Sequence, residues 1–227
     1  MDKPGFAGNT DTGFLKTVAF ITMLADHVGY LFFPAEILWR IVGRIAFPLF
    51  AYCLALGFFY TKSVRKYFIR LLCFSFVSQV PYTLCFYPYE FGGSIADFHL
   101  NIGFTMMLGL WAIWGIDRKK YLHAVIAVLL SFVPAVEYGF YGVAVMIIAY
   151  LFMKKEKSFF GIAMGLALAS PFFEFFTAGY LDPQGFAVLA LPLMLTKTKT
   201  GIKIPKWLNY GFYPIHLCLL TITNYFI

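Results

Sequence analysis

The residues best suited to chemistry in this chain are ionisable groups that lie inside apolar segments. Asp26 and His27 are adjacent in the segment MLADHVG, and Arg40 and Arg44 follow in LWRIVGR. Burying an arginine at mid-bilayer depth costs at least roughly a few kcal/mol, so intramembrane charges usually face a cavity or a partner and mark function. A neutral imidazole acts as general base or transient nucleophile, and guanidinium groups stabilise a developing oxyanion or bind a pyrophosphate. Acyl transfer and proton-coupled transport both fit this set of side chains.

The elements that must position these residues are predicted to be transmembrane helices. Of the 227 residues, 61% are hydrophobic and 13% are charged, whereas soluble domains carry about 25% charged residues. Long apolar runs separated by short polar connections are typical of a polytopic α-helical bundle. We therefore predict an all-α transmembrane bundle of about nine spans, forming a single integral-membrane domain over residues 1–227. The predicted spans are 14–33, 37–60, 68–88, 100–116, 121–136, 139–153, 158–176, 180–196 and 207–226. The weakest is 180–196, which contains Asp182 and two prolines, and a re-entrant segment there would leave eight spans.

The basic residues predict the orientation of this bundle. The chain has 18 Lys and Arg residues, and 16 of them fall in one alternating set of connections: 1–16, 61–70, 117–120, 154–157 and 197–206. The other set carries acidic residues instead, namely Glu36, Glu90, Asp97, Glu137 and Asp182. The positive-inside rule then places the basic set and the amino terminus in the cytoplasm, with the protein in a bacterial cytoplasmic membrane. The net charge of +7 is thereby assigned to topology and to contact with membrane lipids, and it does not indicate nucleic-acid binding.

The first two predicted spans bring Asp26, His27 and Arg44 to similar depth, with Arg40 nearer the outer end. Arg40 and Arg44 are spaced i, i+4, so both point the same way. Asp26 and His27 lie about 15 Å from the cytoplasmic face, and a very short turn makes the two spans antiparallel neighbours. Because adjacent helical residues point about 100° apart, Asp26 either orients His27 or pairs with an arginine. A purely structural Asp26–Arg44 ion pair is the alternative to a functional site.

Two further polar groups reach mid-depth in the predicted bundle. Gln79 lies in the third span, His216 lies in the last, and Asn101 stands at the outer mouth of the fourth. Pro48 cannot donate a backbone hydrogen bond to the residue four before it, which frees the carbonyl of Arg44. Gln79 could instead simply bond another helix, and His216 could be a packing histidine with a fixed tautomer. The coincidence of these groups at one level favours the functional interpretation.

The cysteines indicate neither a metal site nor a disulfide framework. They lie in apolar stretches without a CxxC pair, which predicts thiols in the core. The four positions are Cys53, Cys73, Cys85 and Cys218.

Five segments of the chain resemble the TraX family. They are LKTVAFITMLADHVGYLFFP, then LWRIVGRIAFPLFAYCLALGFFYTKSVRKYFIRLLCFSFVSQVPY, then LNIGFTMMLGL, then EYGFYGVAVMIIAYLF, and finally WLNYGFYPIHL. They run in family order from about residue 15 to residue 217, which is nearly the whole chain. GRIAFPLFAY with RKYFIRLL and SQVPY is specific to the family, whereas YPIHL alone would be a weak signal.

The resemblance implies a membrane acyltransferase. The named member of the TraX family is implicated in N-terminal acetylation of conjugative pilin. Related membrane acyltransferases use acyl-CoA to modify extracytoplasmic sugars or peptides. The family's functional positions fall on Asp26, His27, Arg40, Arg44, Gln79 and His216.

We therefore predict transfer of an acetyl group from cytosolic acetyl-CoA to an extracytoplasmic peptide or glycan acceptor. His27 is the predicted base or acyl carrier, Asp26 its orienting or charge-balancing partner, and Arg44 a clamp for carbonyl or phosphate. The predicted cofactor-binding residues are Arg40, Arg65, Lys66 and Arg70, and the predicted substrate-binding residues are Gln79, Asn101, Tyr213 and His216.

Two other functions fit the same residues. A proton-coupled transporter would use Asp26 and His27 as its relay, although no inverted repeat of the kind common in carriers is present. A non-catalytic assembly factor for a pilus or envelope complex would leave the buried charges without a purpose.

Overall fold

Helices account for nearly all of the regular structure in the computed structural model. The structure describes residues 8–89, 98–155, 158–173, 179 and 182–226. Within these ranges the β-type pairing is limited to an isolated bridge between Leu100 and Val136, so the predicted all-α class is confirmed. The α-helices are α1 (Thr12–Phe32), α2 (Ile37–Gly43), α3 (Ala46–Tyr60), α4 (Val64–Phe86), α5 (Ile102–Asp117), α6 (Tyr121–Leu130), α7 (Gly139–Lys155), α8 (Ser158–Ala169), α9 (Leu191–Leu195) and α10 (Lys206–Phe226). Among the described residues, 3-10 segments include Ser170–Phe172 and Pro183–Ala190.

Three helical stretches among the described residues are long and apolar enough to cross a membrane. They are Thr12–Phe32, Ile37–Tyr60 and Val64–Phe86. Shorter apolar helices follow at Ile102–Asp117, Tyr121–Leu130, Gly139–Lys154, Phe159–Phe172 and Pro183–Leu195. A membrane protein is therefore supported, while the nine spans and the cytoplasmic amino terminus stay predictions.

Several predicted spans are not continuous α-helices: 37–60 is interrupted at residues 44 and 45, and 158–176 passes from α8 into a 3-10 segment at Ser170. In the span 180–196, the described part is a 3-10 segment, Pro183–Ala190, followed by the short helix α9. Pro183 and Pro192 each open one of these segments, because a proline inside a longer helix would cost a backbone hydrogen bond. The span 121–136 ends early, at Leu130, and turns follow up to the Val136 bridge.

The four cysteines are free thiols, but they divide between two environments. Cys53 and Cys85 are buried, as predicted for core thiols. Cys73 and Cys218 are exposed on the helix surface, so the core prediction was wrong for this pair.

The chain divides into two compact units. The first contains Met1–Leu56 and Ile148–Ile204, and the second contains Gly57–Ile147 and Pro205–Ile227. In the first unit α1 packs on α2, and the 3-10 segment Pro183–Ala190 packs on α2 and α8. In the second unit α4 packs on α5 and on α10, and α5 packs on α6. The single domain predicted for residues 1–227 stays a prediction.

The start of α1 is anchored by polar contacts to a distant segment of the first unit. Asn9 is fully buried, and its backbone N–H donates to the carbonyl of Met194 at 2.7 Å. Asp11 caps α1 by accepting from the Phe14 N–H at 3.1 Å. The other Asp11 oxygen accepts from the backbone N–H of Thr200 at 2.6 Å and from its hydroxyl at 2.8 Å. These contacts fix the amino-terminal end of α1 against residues 194–200.

Replacing Asp11 with alanine is expected to destabilise the folded protein by about 1 kcal/mol, the usual cost of losing an N-cap. The hydrogen bonds from Thr200 lower the pKa of Asp11. A carboxyl whose pKa is lowered on folding stabilises the protein above its unfolded pKa and loses that contribution as pH falls through the folded pKa. The difference in melting temperature between wild type and D11A in detergent should therefore shrink at acidic pH. A constant difference down to pH 2 would contradict the charge-dependent part of this role.

The predicted orientation has a direct test in cysteine labelling. We expect Ala35→Cys to react with a membrane-impermeant maleimide from outside intact cells, because Ala35 is exposed in the connection between α1 and α2. Lys199→Cys, exposed in a basic connection, should react only after the membrane is permeabilised. The background protein would carry serine at Cys53, Cys73, Cys85 and Cys218. The opposite labelling pattern would reverse the topology.

Candidate functional site

Arg44 lies in the first unit, in a break between two helices. Helix α2 ends at Gly43 and α3 begins at Ala46. The Arg44 N–H still donates to the Arg40 carbonyl at 3.1 Å. Pro48 has no N–H to donate to the Arg44 carbonyl, and it stands in the first turn of α3, where proline is tolerated. The predicted loss of that bond thus coincides with a real interruption of the helix.

Two glycines allow α1 and α2 to approach closely. A Cβ on Gly43 would lie 2.2 Å from the Cβ of Asp26, and a Cβ on Gly29 would lie 2.1 Å from the Cβ of Trp39. Such distances cannot be accommodated unless something shifts, so any larger residue would separate the helices. The contact at Gly43 brings the backbone beside Arg44 directly against the Asp26 side chain.

Asp26 forms ion pairs with both arginines. Its Oδ1 lies 3.0 Å from an Arg40 guanidinium nitrogen and 3.5 Å from an Arg44 guanidinium nitrogen. The side chains of Asp26 and Arg44 are 14% and 13% exposed, and that of Arg40 is 29% exposed. The Arg40 guanidinium also lies over the Tyr30 ring, 5.2 Å from its centroid. Of the pairings that the sequence left open, the structure forms the one between Asp26 and the arginines.

Gln184 is a member of this site that sequence reasoning missed. Arg44 donates to Gln184 Oε1 at 3.1 Å. Gln184 is held by the start of the 3-10 segment, where Asp182 accepts from the Gln184 N–H at 2.8 Å. The sequence signal was the Asp-Pro pair at 182 and 183, because an aspartate followed by proline commonly opens a helical turn.

A cleft opens beside the arginines in the first unit. Its volume is about 660 Å³. The polar lining comes from Arg40, Arg44, Asp182 and Gln184, and prolines at 34 and 183 contribute apolar walls. The two guanidinium groups therefore face a space large enough for a small ligand group.

His27 follows Asp26 directly on α1 and is half-buried. Adjacent residues of an α-helix leave its axis about 100° apart, so His27 and Asp26 start in different directions. The Asp26 carboxylate, which pairs with both arginines, thus stands next to the predicted base in the chain. The catalytic role of His27 stays a prediction.

Gln79 and Asn101 form a hydrogen-bond network in the second unit. Gln79 Nε2 donates to the His99 carbonyl at 2.7 Å, and its Oε1 accepts from the Asn101 side chain at 2.8 Å and backbone N–H at 3.1 Å. Asn101 is fully buried, donates to the Ser75 carbonyl at 2.8 Å and caps α5 by accepting from the Gly103 N–H. This network joins α4 to the start of α5, which is the structural alternative considered for Gln79.

Tyr213 and His216 lie together on α10 in the second unit. Both are buried, and their ring centroids are 5.7 Å apart. The Tyr213 ring also packs on Phe74 at 5.7 Å. His216 Nδ1 is 2.7 Å from the Phe212 carbonyl. A carbonyl only accepts, so Nδ1 carries the hydrogen, and a neutral ring then presents its lone pair at Nε2.

The predicted cofactor-binding residues of α4 lie on its first turns. Arg65, Lys66 and Arg70 are exposed, and the Arg70 guanidinium lies 5.5 Å from the Tyr67 ring centroid. Ser63 caps this helix by accepting from the Lys66 N–H at 3.3 Å. The three cations are therefore presented outward from one helix start.

The profile of the TraX protein family matches residues 11–224. The chain belongs to the TraX family. The matched range of this TraX-family protein contains every candidate residue from Asp26 to His216.

Two named relatives match the chain over most of its length. One is the probable fimbrial assembly protein FimC, serogroup H1, of Dichelobacter nodosus, which is 27% identical over 94% of this chain and 95% of its own. The other is the protein TraX of Escherichia coli, which is 23% identical over 91% of this chain and 84% of its own. No solved structure matches this TraX-family chain significantly.

Proposed function

We propose that this protein is a membrane acetyltransferase that acts in pilus or fimbrial assembly. It would take the acetyl group from cytosolic acetyl-CoA and deliver it to an extracytoplasmic amine or hydroxyl, on a pilin-like peptide or a surface glycan. The observation that carries the proposal is the position of His27 beside Asp26, whose carboxylate holds Arg40 and Arg44. A relative named as a fimbrial assembly protein supports the cellular role.

The proposed chemistry divides between the histidine and the arginine. The nitrogen or oxygen of the acceptor attacks the thioester carbonyl while His27 takes the acceptor's proton. Coenzyme A then departs as the thiolate. In the covalent variant, the imidazole accepts the acetyl group first and then passes it to the acceptor. Arg44 stabilises the negative charge that develops on the carbonyl oxygen.

The contacts of Arg44 support that role. Asp26 and Gln184 hold its guanidinium from two sides, at 3.5 Å and 3.1 Å. Donors fixed before the reaction stabilise a transition state without reorganisation, which is the main source of electrostatic catalysis. Asp26 is the counter-ion that both arginines contact.

The decisive test is incubation of the purified full-length protein with acetyl-CoA carrying a radiolabelled acetyl group. Label should move to an added peptide or glycan acceptor, or remain on the protein when the acceptor is absent. The control is coenzyme A labelled in its adenine, which should not be retained after gel filtration in denaturant. Absence of transfer to every peptide and glycan acceptor, together with absence of retained acetyl, would defeat the enzymatic proposal.

The name of the Dichelobacter relative also favours a second candidate, a non-catalytic assembly factor. This candidate predicts that alanine at His27 and Arg44 leaves surface pili intact in a complementation assay. The acetyltransferase proposal predicts loss of the acetylated product in the same strains.

A further inference from the structure

We propose that the cleft beside Arg40 and Arg44 binds an oxyanion, a carboxylate or a phosphate, carried by the acceptor molecule. The inference rests on the proposed function for the identity of the molecule, and on the geometry of the cleft for its chemistry. It moves Arg40 from the cofactor site, where the sequence placed it, to the acceptor site.

The donor groups that line the cleft favour an anion. Arg40 and Arg44 both line the cleft, and each contacts Asp26 Oδ1 through one guanidinium nitrogen, at 3.0 Å and 3.5 Å. Arg40 is the more exposed of the two arginines, at 29%, and it lines the cleft. A planar guanidinium presents a fork of donors that matches carboxylate and phosphate oxygens. Arg40 is therefore the residue expected to meet the ligand first.

Asp182 opposes the attraction between the arginines and an anion in the cleft. It lines the cleft with the arginines, and its Oδ1 accepts from the Gln184 N–H at 2.8 Å. Its carboxylate holds the wall that carries Gln184, but its negative charge repels an incoming anion. Asparagine at this position would keep the capping hydrogen bond, because it is an equally good N-cap, and would remove the repulsion.

The position of the cleft favours the acceptor over acetyl-CoA. Helix α1 has 21 residues and is about 30 Å long at 1.5 Å per residue. Its first turn lies beside Thr200, in the connection that carries Lys197, Lys199 and Lys203. The cleft is lined by residues 34, 35 and 37 and by residues 182–184, where the connections contain no Lys or Arg, and it extends along α2 to Arg44. The cleft thus belongs to the end of the first unit that the positive-inside rule assigns to the extracytoplasmic side.

The test is binding of inorganic phosphate and of acetate to the purified full-length protein, in phospholipid-free detergent at constant ionic strength. Thermal shift gives the dissociation constant for wild type, Arg40→Gln, Asp182→Asn and the control Lys199→Gln, which removes an exposed cation outside the cleft. We expect R40Q to weaken binding about tenfold or more, D182N to tighten it about threefold, and K199Q to change it less than about twofold. Should R40Q not be recovered in folded form, the sign of the D182N effect decides.

A second titration, with coenzyme A, identifies the source of the anion. Under the proposal, R40Q leaves coenzyme A affinity unchanged and phosphate does not compete with it. Competition, or an equal loss of coenzyme A affinity in R40Q, would assign the cleft to the donor and overturn the proposal. Unchanged phosphate binding in R40Q, or weaker binding in D182N, would also overturn it.

These measurements involve no acetyl transfer, so they fail independently of the proposed function. Oxyanion binding with the predicted variant pattern, in a protein that transfers no acetyl group, would leave the cleft assignment standing. Acetyl transfer by a protein without that pattern would support the proposed function and overturn the assignment of the cleft.

Discussion

Replacing Asp26 with alanine should destabilise the protein by about 3–5 kcal/mol, the typical cost of removing one partner from a buried ion pair. The two arginines would then face each other without the carboxylate that both contact, at 3.0 Å and 3.5 Å. For a chain of this size we expect the melting temperature in detergent to fall by about 10 °C. Fluorescence-detected size-exclusion chromatography after heating measures the shift.

Two further variants make this result specific. Glu36→Ala removes an exposed acidic side chain from the same end of α1, and it should change the melting temperature by less than about 2 °C. The combined variant Asp26→Leu, Arg40→Met, Arg44→Met removes all three charges together, and it should recover most of the lost stability. A D26A protein as stable as the wild type would show that the triad does not hold the first unit together.

Replacing His27 with alanine should lower the rate of acetyl transfer about 100-fold to 10,000-fold, the range that a general base or nucleophile contributes. Because His27 is only half-buried, the variant should remain folded. The measurement is initial velocity with labelled acetyl-CoA and a saturating acceptor, at matched protein amounts. His216→Ala tests whether the second imidazole, whose Nδ1 is held by Phe212, contributes to the same rate.

The form of the residual activity identifies the role of His27. If the imidazole carries the acetyl group, wild-type protein incubated without acceptor should retain label that His27→Gln does not retain. If it serves only as a base, neither protein should retain label, and the rate of the glutamine variant should rise with pH as the acceptor deprotonates itself. An H27A enzyme with the wild-type rate would remove His27 from the mechanism.

Local spacing explains why part of the site could be predicted. The i, i+4 interval of Arg40 and Arg44 and the short turn before them place both side chains against α1, and the structure brings both to Asp26. Burial of a charge makes a partner energetically necessary, so the pairing follows from residues within one helical hairpin. Nothing comparable identifies Gln184, because its contact with Arg44 spans 140 residues.

Gln79 and Asn101 have a structural role that the sequence could not distinguish from substrate binding, which stays a prediction. Gln79 lies inside its predicted span and Asn101 at the outer mouth of the next one, and the sequence predicted that both bind substrate. The structure connects them to each other and to backbone groups of Ser75 and His99. Hydropathy cannot distinguish a polar group that binds a ligand from one that joins two helices, because both are equally unfavourable in lipid until they are paired.

The distance along the chain between Arg44 and Gln184 has a consequence for biogenesis. At about 5–20 residues per second, the 140 intervening residues take roughly 7–30 s to leave the ribosome. During that interval Asp26, already synthesised, is the acceptor through which the nascent hairpin can keep Arg40 and Arg44 in the bilayer. The carboxylate would therefore act as a cotranslational counter-ion before the finished protein has any chemistry to perform.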